Sequence, residues 1–189
     1  MALYIPKKDI YFLHIPKAGG TSVRGWIQNN ISFDDVGDKH DTLLDIEKKY
    51  TVKDHFVVVR NPYARIHSWF YYHVGIAKKW SHKPNRWSYW LDYERKGFNW
   101  FIQNTNWMQG DMGKTQTEFF NHKVKFLCYL ENIHEDIIPV KRYLNIEADL
   151  PLSNKSNKKS IWQNDYDKSS KEIVKEYFYK DFDILGYNQ

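Results

Sequence analysis

The chain has one cysteine among its 189 residues, Cys128. A lone cysteine excludes an intramolecular disulfide and a cysteine-rich metal site. Its setting, Phe126-Leu127-Cys128-Tyr129-Leu130, reads as a buried strand in which the thiol is a small apolar filler. Long apolar runs are also missing: none approaches the length that crosses a membrane, and the first residues lack the apolar core of a signal peptide. The expectation is a soluble, cytoplasmic protein with no membrane span, in which the N-x-[ST] triplets at Asn30 and Asn154 mean little without secretion. No internal repeat and no clear linker interrupt the chain, which is long enough for one full core and short for two. The 28 basic residues exceed the 23 acidic ones, for a net charge of +5 that suits an anionic ligand. The basic residues are dispersed and no RNP, zinc-finger or helix-turn-helix signature accompanies them, so nucleic acid is not expected as a partner.

Two short runs carry chemistry. The first, His14-Ile15-Pro16-Lys17-Ala18-Gly19-Gly20-Thr21-Ser22, follows the β-rich Ile10-Tyr11-Phe12-Leu13 and precedes Val23, Trp26 and Ile27, which repeat at helical spacing. Strand, glycine turn and helix in that order bring backbone N–H groups and the positive end of a helix to bear on an anion, with Lys17 as a mobile charge and the hydroxyls of Thr21 and Ser22 as donors. The run fails the nucleoside-triphosphate pattern G-x-x-x-x-G-K-[ST], because its lysine precedes the glycine pair. The second run, Val57-Val58-Val59-Arg60-Asn61-Pro62, fails the companion requirement: a triphosphatase strand ends in an aspartate that helps hold magnesium, and this one ends in Arg60. Arginine clamps a phosphate rather than a metal. Pro62 suits the first turn of a helix that would carry Arg65 and Ser68 on one face, so the second run also reads as an anion site.

Two phosphate sites without a magnesium carboxylate imply a nucleotide phosphorylated in two places. Here the chain resembles the sulfotransferases that use 3′-phosphoadenosine 5′-phosphosulfate (PAPS), the group of the heparan and chondroitin O-sulfotransferases and small bacterial relatives. The resemblance extends through Tyr129-Leu130-Glu131-Asn132-Ile133-His134-Glu135-Asp136, Leu150-Pro151 with Asn154-Lys155-Ser156, and the stretch 177–186. It implies that Lys17, Ala18, Gly19, Gly20, Thr21 and Ser22 hold the 5′-phosphosulfate and that Arg60 and Ser68 hold the 3′-phosphate. It also implies that a late loop with Lys155 closes over the nucleotide. The product would be 3′,5′-adenosine bisphosphate, and no metal is required. It implies an O-sulfotransferase acting on a hydroxyl, carbohydrate being the favoured acceptor. Two other readings stay open: a small-molecule phosphotransferase with an atypical P-loop, and a nucleotide- or glycan-binding module without catalysis.

Sulfuryl transfer needs charge stabilisation on the leaving phosphate oxygen, which falls to Lys17, and a base for the acceptor proton. Among the eight histidines, His40 stands between the two anion motifs, where the resembled family often places its base; Glu47 is the reserve. His14 reads as shaping the phosphate loop, and His67 and His73 as packing or acceptor-side residues.

The fold expected is α/β, a P-loop-like three-layer arrangement of a central, mainly parallel sheet flanked by helices. Strands are predicted over 9–15, 53–60 and 124–130, and helices over 21–30, 42–50, 63–74, 131–144 and 170–181. Pro139 is expected to kink or shorten the helix that contains it. A single domain spans 1–189, with an aromatic-rich, helical acceptor-side insertion at 75–123. There Trp80, Trp87, Tyr89, Trp90, Tyr93, Trp100 and Trp107 mingle with His82, Lys83, Arg86, Arg95 and Lys96, either to stack on sugars or simply to pack a helical layer.

Overall fold

The unbroken apolar run at 56–59 is buried on every side, as expected for a strand covered on both faces. The computed structural model describes residues 2–38, 40–81, 87–151 and 162–188. They fall into two compact units, Met1–Arg60 with Lys114–Asn157 and Asn61–Gly113 with Lys158–Gln189.

The first unit is built on a five-stranded sheet flanked by helices, the expected α/β class. Its strands are β1 (Ala2–Ile5), β2 (Ile10–Leu13), β3 (Asp34–Val36), β4 (Asp54–Val59) and β5 (Phe126–Tyr129), in the order β3-β1-β2-β4-β5. β2, β4 and β5 are parallel, so their carboxyl ends point the same way. Helices α1 (Gly20–Asn30), α2 (Leu43–Glu47) and α6 (Ile133–Leu144) belong to this unit. Val23, Trp26 and Ile27 of α1 and Ile133, Ile137, Val140 and Leu144 of α6 form one core with Ile10, Phe12, Phe56, Val58 and Cys128. Each such side chain contributes about 1.5–3 kcal/mol by leaving water.

Two strands are additions to the sequence reading. β1 pairs antiparallel with β2 through a tight turn at Pro6–Lys8, and β3 pairs antiparallel with β1 in the stretch read as irregular. β3 is Asp-Asp-Val, which has little strand propensity of its own and exists because β1 offers an edge. Pro139 does not end α6, which runs on to Leu144 and closes on Asn145 in the left-handed conformation. Pro139 and Glu135 are both exposed, so solvent serves the carbonyl that loses its helical partner.

The second unit is helical: α3 (Pro62–Lys79), α4 (Tyr89–Lys96), α5 (Phe98–Asn104), α7 (Trp162–Asp165), α8 (Lys168–Tyr177) and α9 (Tyr179–Leu185). α3 starts where Asn61 accepts the N–H groups of Tyr63 and Ala64 and Pro62 takes the first position, and it extends five residues beyond the predicted end. The helix predicted over 170–181 is two, broken at the buried Phe178. Phe70, Trp90, Phe98, Phe101, Trp107, Val174, Phe178 and Phe182 form this unit's core. Packing therefore accounts for Trp90 and Trp107, whereas Trp80 and Tyr89 are about half exposed, at 47% and 48%.

Candidate active site

The lysine-glycine loop leaves the carboxyl end of β2. Ala18 donates to Ile15 O at 3.4 Å, Ser22 donates to Gly19 O at 3.1 Å, and between them the backbone turns left-handed at Lys17 (φ 64°) and Gly19 (φ 86°). Left-handed residues set between right-handed ones curl successive N–H groups toward one point, the geometry of an anion nest. Gly19 tolerates this freely, but Lys17 does so at about 1–2 kcal/mol. The N-cap of α1 is Gly19, which has no side chain with which to cap the helix. The loop thus brings backbone donors and the positive end of a helix to one place, with Lys17 and Thr21 carried on that turn. Gly19 is also needed for closeness, since a Cβ there would stand 2.6 Å from Leu130 Cδ1 at the end of β5.

His14 lies across the start of α1. A Cβ on Gly20 would fall 2.5 Å from His14 Nε2, and closer still to its Cδ2, so only glycine admits the ring. His40 meets that ring edge-on, with centroids 5.6 Å apart and planes at 85°. The segment bearing His40 is fixed from both sides. Before it, Gly37 turns at φ 65° and Asp41 Oδ2 accepts the Asp38 N–H at 2.7 Å. After it, Thr42 and Asp45 form a reciprocal capping box on α2, which holds the Asp45 carboxyl well below its usual range, first through its bond with Lys48 and next through those with Thr42. Asp41 therefore serves the turn that carries His40.

Arg60 follows β4, and its guanidinium Nη1 donates to the carbonyl of Lys17 at 3.2 Å. That bond secures the left-handed turn of the phosphate loop and brings the second motif's cation to the first motif's lysine. The backbone on both sides of the Arg60 Cα is gripped by Gln116, in a short turn at Gln116–Glu118: Arg60 N donates to Gln116 Oε1 at 2.9 Å, and Gln116 Nε2 donates to Arg60 O at 2.7 Å. Gln116 is fully buried and carries no motif; its partner is 56 positions away, so sequence inspection had no signal for it.

The structure thus brings together Lys17, Ala18, Gly19, Gly20, Thr21, Ser22, His14, His40 and Arg60. Glu47, the reserve base, is an exposed residue at the last position of α2. Ser68 is half-buried on α3 in the second unit, and Lys155 lies outside the described residues, as do His82, Lys83 and Arg86. Arg65, read from the sequence as a companion of Ser68 at an anion site, is instead fully buried in the second unit. There it donates to Asp111 O at 3.4 Å and lies over the Phe178 ring, so it pins α3. His67 and His73 are packing residues: His67 pairs with Asp165 at 2.7 Å, and His73 stacks on Trp90 at 4.6 Å.

No curated protein and no solved structure matches the chain. A family model does match, that of the sulfotransferase family, over residues 1–188. A match over nearly the whole length agrees with a glycine-lysine loop at the carboxyl end of a parallel strand and an arginine where a triphosphatase would carry its metal carboxylate. The chain belongs to the sulfotransferase family, and it is an enzyme that transfers a sulfuryl group to a hydroxyl-bearing acceptor.

Proposed function

We propose that the donor is PAPS and that the chain works as one sulfotransferase domain, with its phosphate loop on the 5′-phosphosulfate and Arg60 on the 3′-phosphate. The observation that carries this reading is the bond from Arg60 Nη1 to Lys17 O at 3.2 Å, which sets a permanent cation beside a nest of backbone donors. A donor phosphorylated at two positions needs two anion sites, and this arrangement meets that need with neutral and cationic groups alone.

In the transfer, a bond forms from the acceptor oxygen to sulfur as the bond from sulfur to the phosphate oxygen breaks. Lys17 and the first N–H groups of α1 meet the charge that grows on the departing oxygen. His40 takes the acceptor hydroxyl proton, and T-shaped packing against the His14 ring holds the His40 ring in place. Removing a donor aimed at developing charge lowers turnover by about 10²–10³. A carbohydrate acceptor is supported by aromatics beside cations in the second unit, where Lys96 Nζ lies 4.3 Å from the centroid of the partly buried Trp100 ring and the half-exposed Trp80 has Lys79 beside it.

The experiment is transfer of label from [35S]PAPS to a panel of neutral and carboxylated oligosaccharides in EDTA, for wild type, Lys17→Ala and His40→Ala. The reading expects labelled saccharide from wild type and about a hundredfold less from each variant. Wild-type rates in both variants would overturn the assignment of the two residues, and magnesium-dependent phosphate transfer from ATP in place of sulfation would overturn the donor.

A further inference from the structure

We infer that Gln116 is a positioning residue for donor recognition: it holds the Arg60 backbone on both sides of the Cα so that the guanidinium can serve the 3′-phosphate, and so sets the preference for a bisphosphorylated over a monophosphorylated adenosine. This rests on the reading of Arg60 as the 3′-phosphate group.

The sheet stops just short of Arg60. The ladder between β2 and β4 ends at Leu13 and Val57, and that between β4 and β5 ends at Val59 and Tyr129. Arg60 is the next residue, beyond both ladders, with a peptide N–H and C=O still to be satisfied. Gln116 meets both with one amide, accepting from the N–H at 2.9 Å and donating to the carbonyl at 2.7 Å. The amide of a glutamine has the same donor and acceptor set as a peptide, so the side chain continues the sheet by one rung. The N–H lies in the peptide before the Arg60 Cα and the carbonyl in the peptide after it, so each flanking peptide is held by one bond to a side chain that is 0% exposed.

That rigidity is placed at one residue. Arg60 has a long side chain with several free torsions, and an anion clamp works only when its fork is presented ready. The backbone end is fixed by Gln116 and the tip by Lys17 O at 3.2 Å, which leaves the guanidinium on a short arc beside the loop. The same turn reaches the other motif: Leu43 N donates to Phe119 O at 3.0 Å, and Phe119 N closes the turn on Gln116 O at 3.0 Å. One short turn therefore indexes both the arginine and the start of α2, next to His40. A general core role would demand no such match to both backbone groups of a single residue, and an apolar side chain there would leave both without the partner that Gln116 supplies.

The test separates the two phosphates. Affinity is measured by isothermal titration for 3′,5′-adenosine bisphosphate and for adenosine 5′-phosphate, in wild type, Arg60→Ala, Gln116→Met and Gln116→Glu. Methionine keeps the length and volume and removes both bonds; glutamate keeps the acceptor for the Arg60 N–H and removes the donor. Partial unfolding lowers the active fraction for both ligands alike, so the ratio of the two affinities is unmoved by it. The expectation is that Gln116→Met lowers bisphosphate affinity about tenfold, the loss of one charge-assisted contact, with monophosphate affinity within about twofold of wild type. Gln116→Glu is expected to fall between wild type and Gln116→Met. If Arg60→Ala loses the preference and both Gln116 variants keep it, the positioning role is wrong while the phosphate assignment stands. If Arg60→Ala keeps the wild-type preference, the reading of Arg60 fails and takes this inference with it.

Discussion

An identical substitution at two glycines of α1 should have opposite effects. Gly25 is mid-helix, and among the described residues nothing lies within 4 Å of a Cβ built on it. Gly25→Ala should therefore gain the ordinary helix preference of alanine, about 0.8–1 kcal/mol, and raise Tm by about 2–4 °C for a chain of this size. Gly20 lies under the His14 ring, whose Nε2 would be 2.5 Å from the new Cβ, well inside any real contact. Gly20→Ala must displace the ring or the loop, an overpacking cost of about 1–3 kcal/mol, and Tm should fall on the order of 5 °C. Nucleotide binding needs the undistorted loop, so strain relieved in the free protein returns on binding, and affinity for 3′,5′-adenosine bisphosphate should drop about tenfold. Thermal melts and titrations of both variants make the comparison. If Gly20→Ala raises Tm as Gly25→Ala does and leaves affinity unchanged, the ring does not pack on the loop, and the account of His14 and His40 falls with it.

Further outcomes follow from groups away from the loop. Burial, with the Asp136 charge adding to it, pushes the Cys128 thiol up to about 12, and its Sγ donates to Asp136 O at 3.3 Å. As the sole cysteine it should resist a thiol reagent at pH 8 in the native protein and react at once in denaturant; fast native labelling would contradict its place in the core. Burial lowers the His55 pKa, so the folded state prefers neutral imidazole while the unfolded chain protonates near 6.5. The unfolded state then binds more protons at acid pH, and stability should decline as pH falls below about 6.5. Denaturant titrations at pH 5 and pH 8 should show a smaller difference in His55→Phe than in wild type, and an equal difference would refute the assignment. Thr42→Ala removes the cap of α2 and should cost about 1 kcal/mol in denaturant titration, with a null result arguing against the capping box.

The legible parts of this molecule were those whose chemistry is local in the chain. Lys17 to Ser22 declare a turn between strand and helix because strand, glycines and helix are consecutive, and Val57-Val58-Val59 declares a doubly covered strand through its lack of alternation. β3 was not legible, because Asp34-Asp35-Val36 becomes a strand only through the edge that β1 supplies. Arg65 was misread for a related reason. Guanidinium chemistry is visible in sequence, but its burial against Phe178 and its bond to Asp111 O depend on chain segments far downstream. Gln116 left no trace, since a single glutamine without a pattern acquires meaning only from the peptide it faces. The contact of His14 with Gly20 lies between these cases: both residues sit in the recognised run, yet the reason for the second glycine is a ring six positions earlier.

The most direct test of the donor assignment is isothermal titration of the protein with 3′,5′-adenosine bisphosphate in EDTA, beside ATP with magnesium and beside the Arg60→Ala variant. The account predicts metal-free binding of the bisphosphate, a clear preference for it over ATP, and a loss of about tenfold or more in Arg60→Ala. Binding of ATP with magnesium in preference to the bisphosphate, or equal binding by wild type and Arg60→Ala, would contradict it.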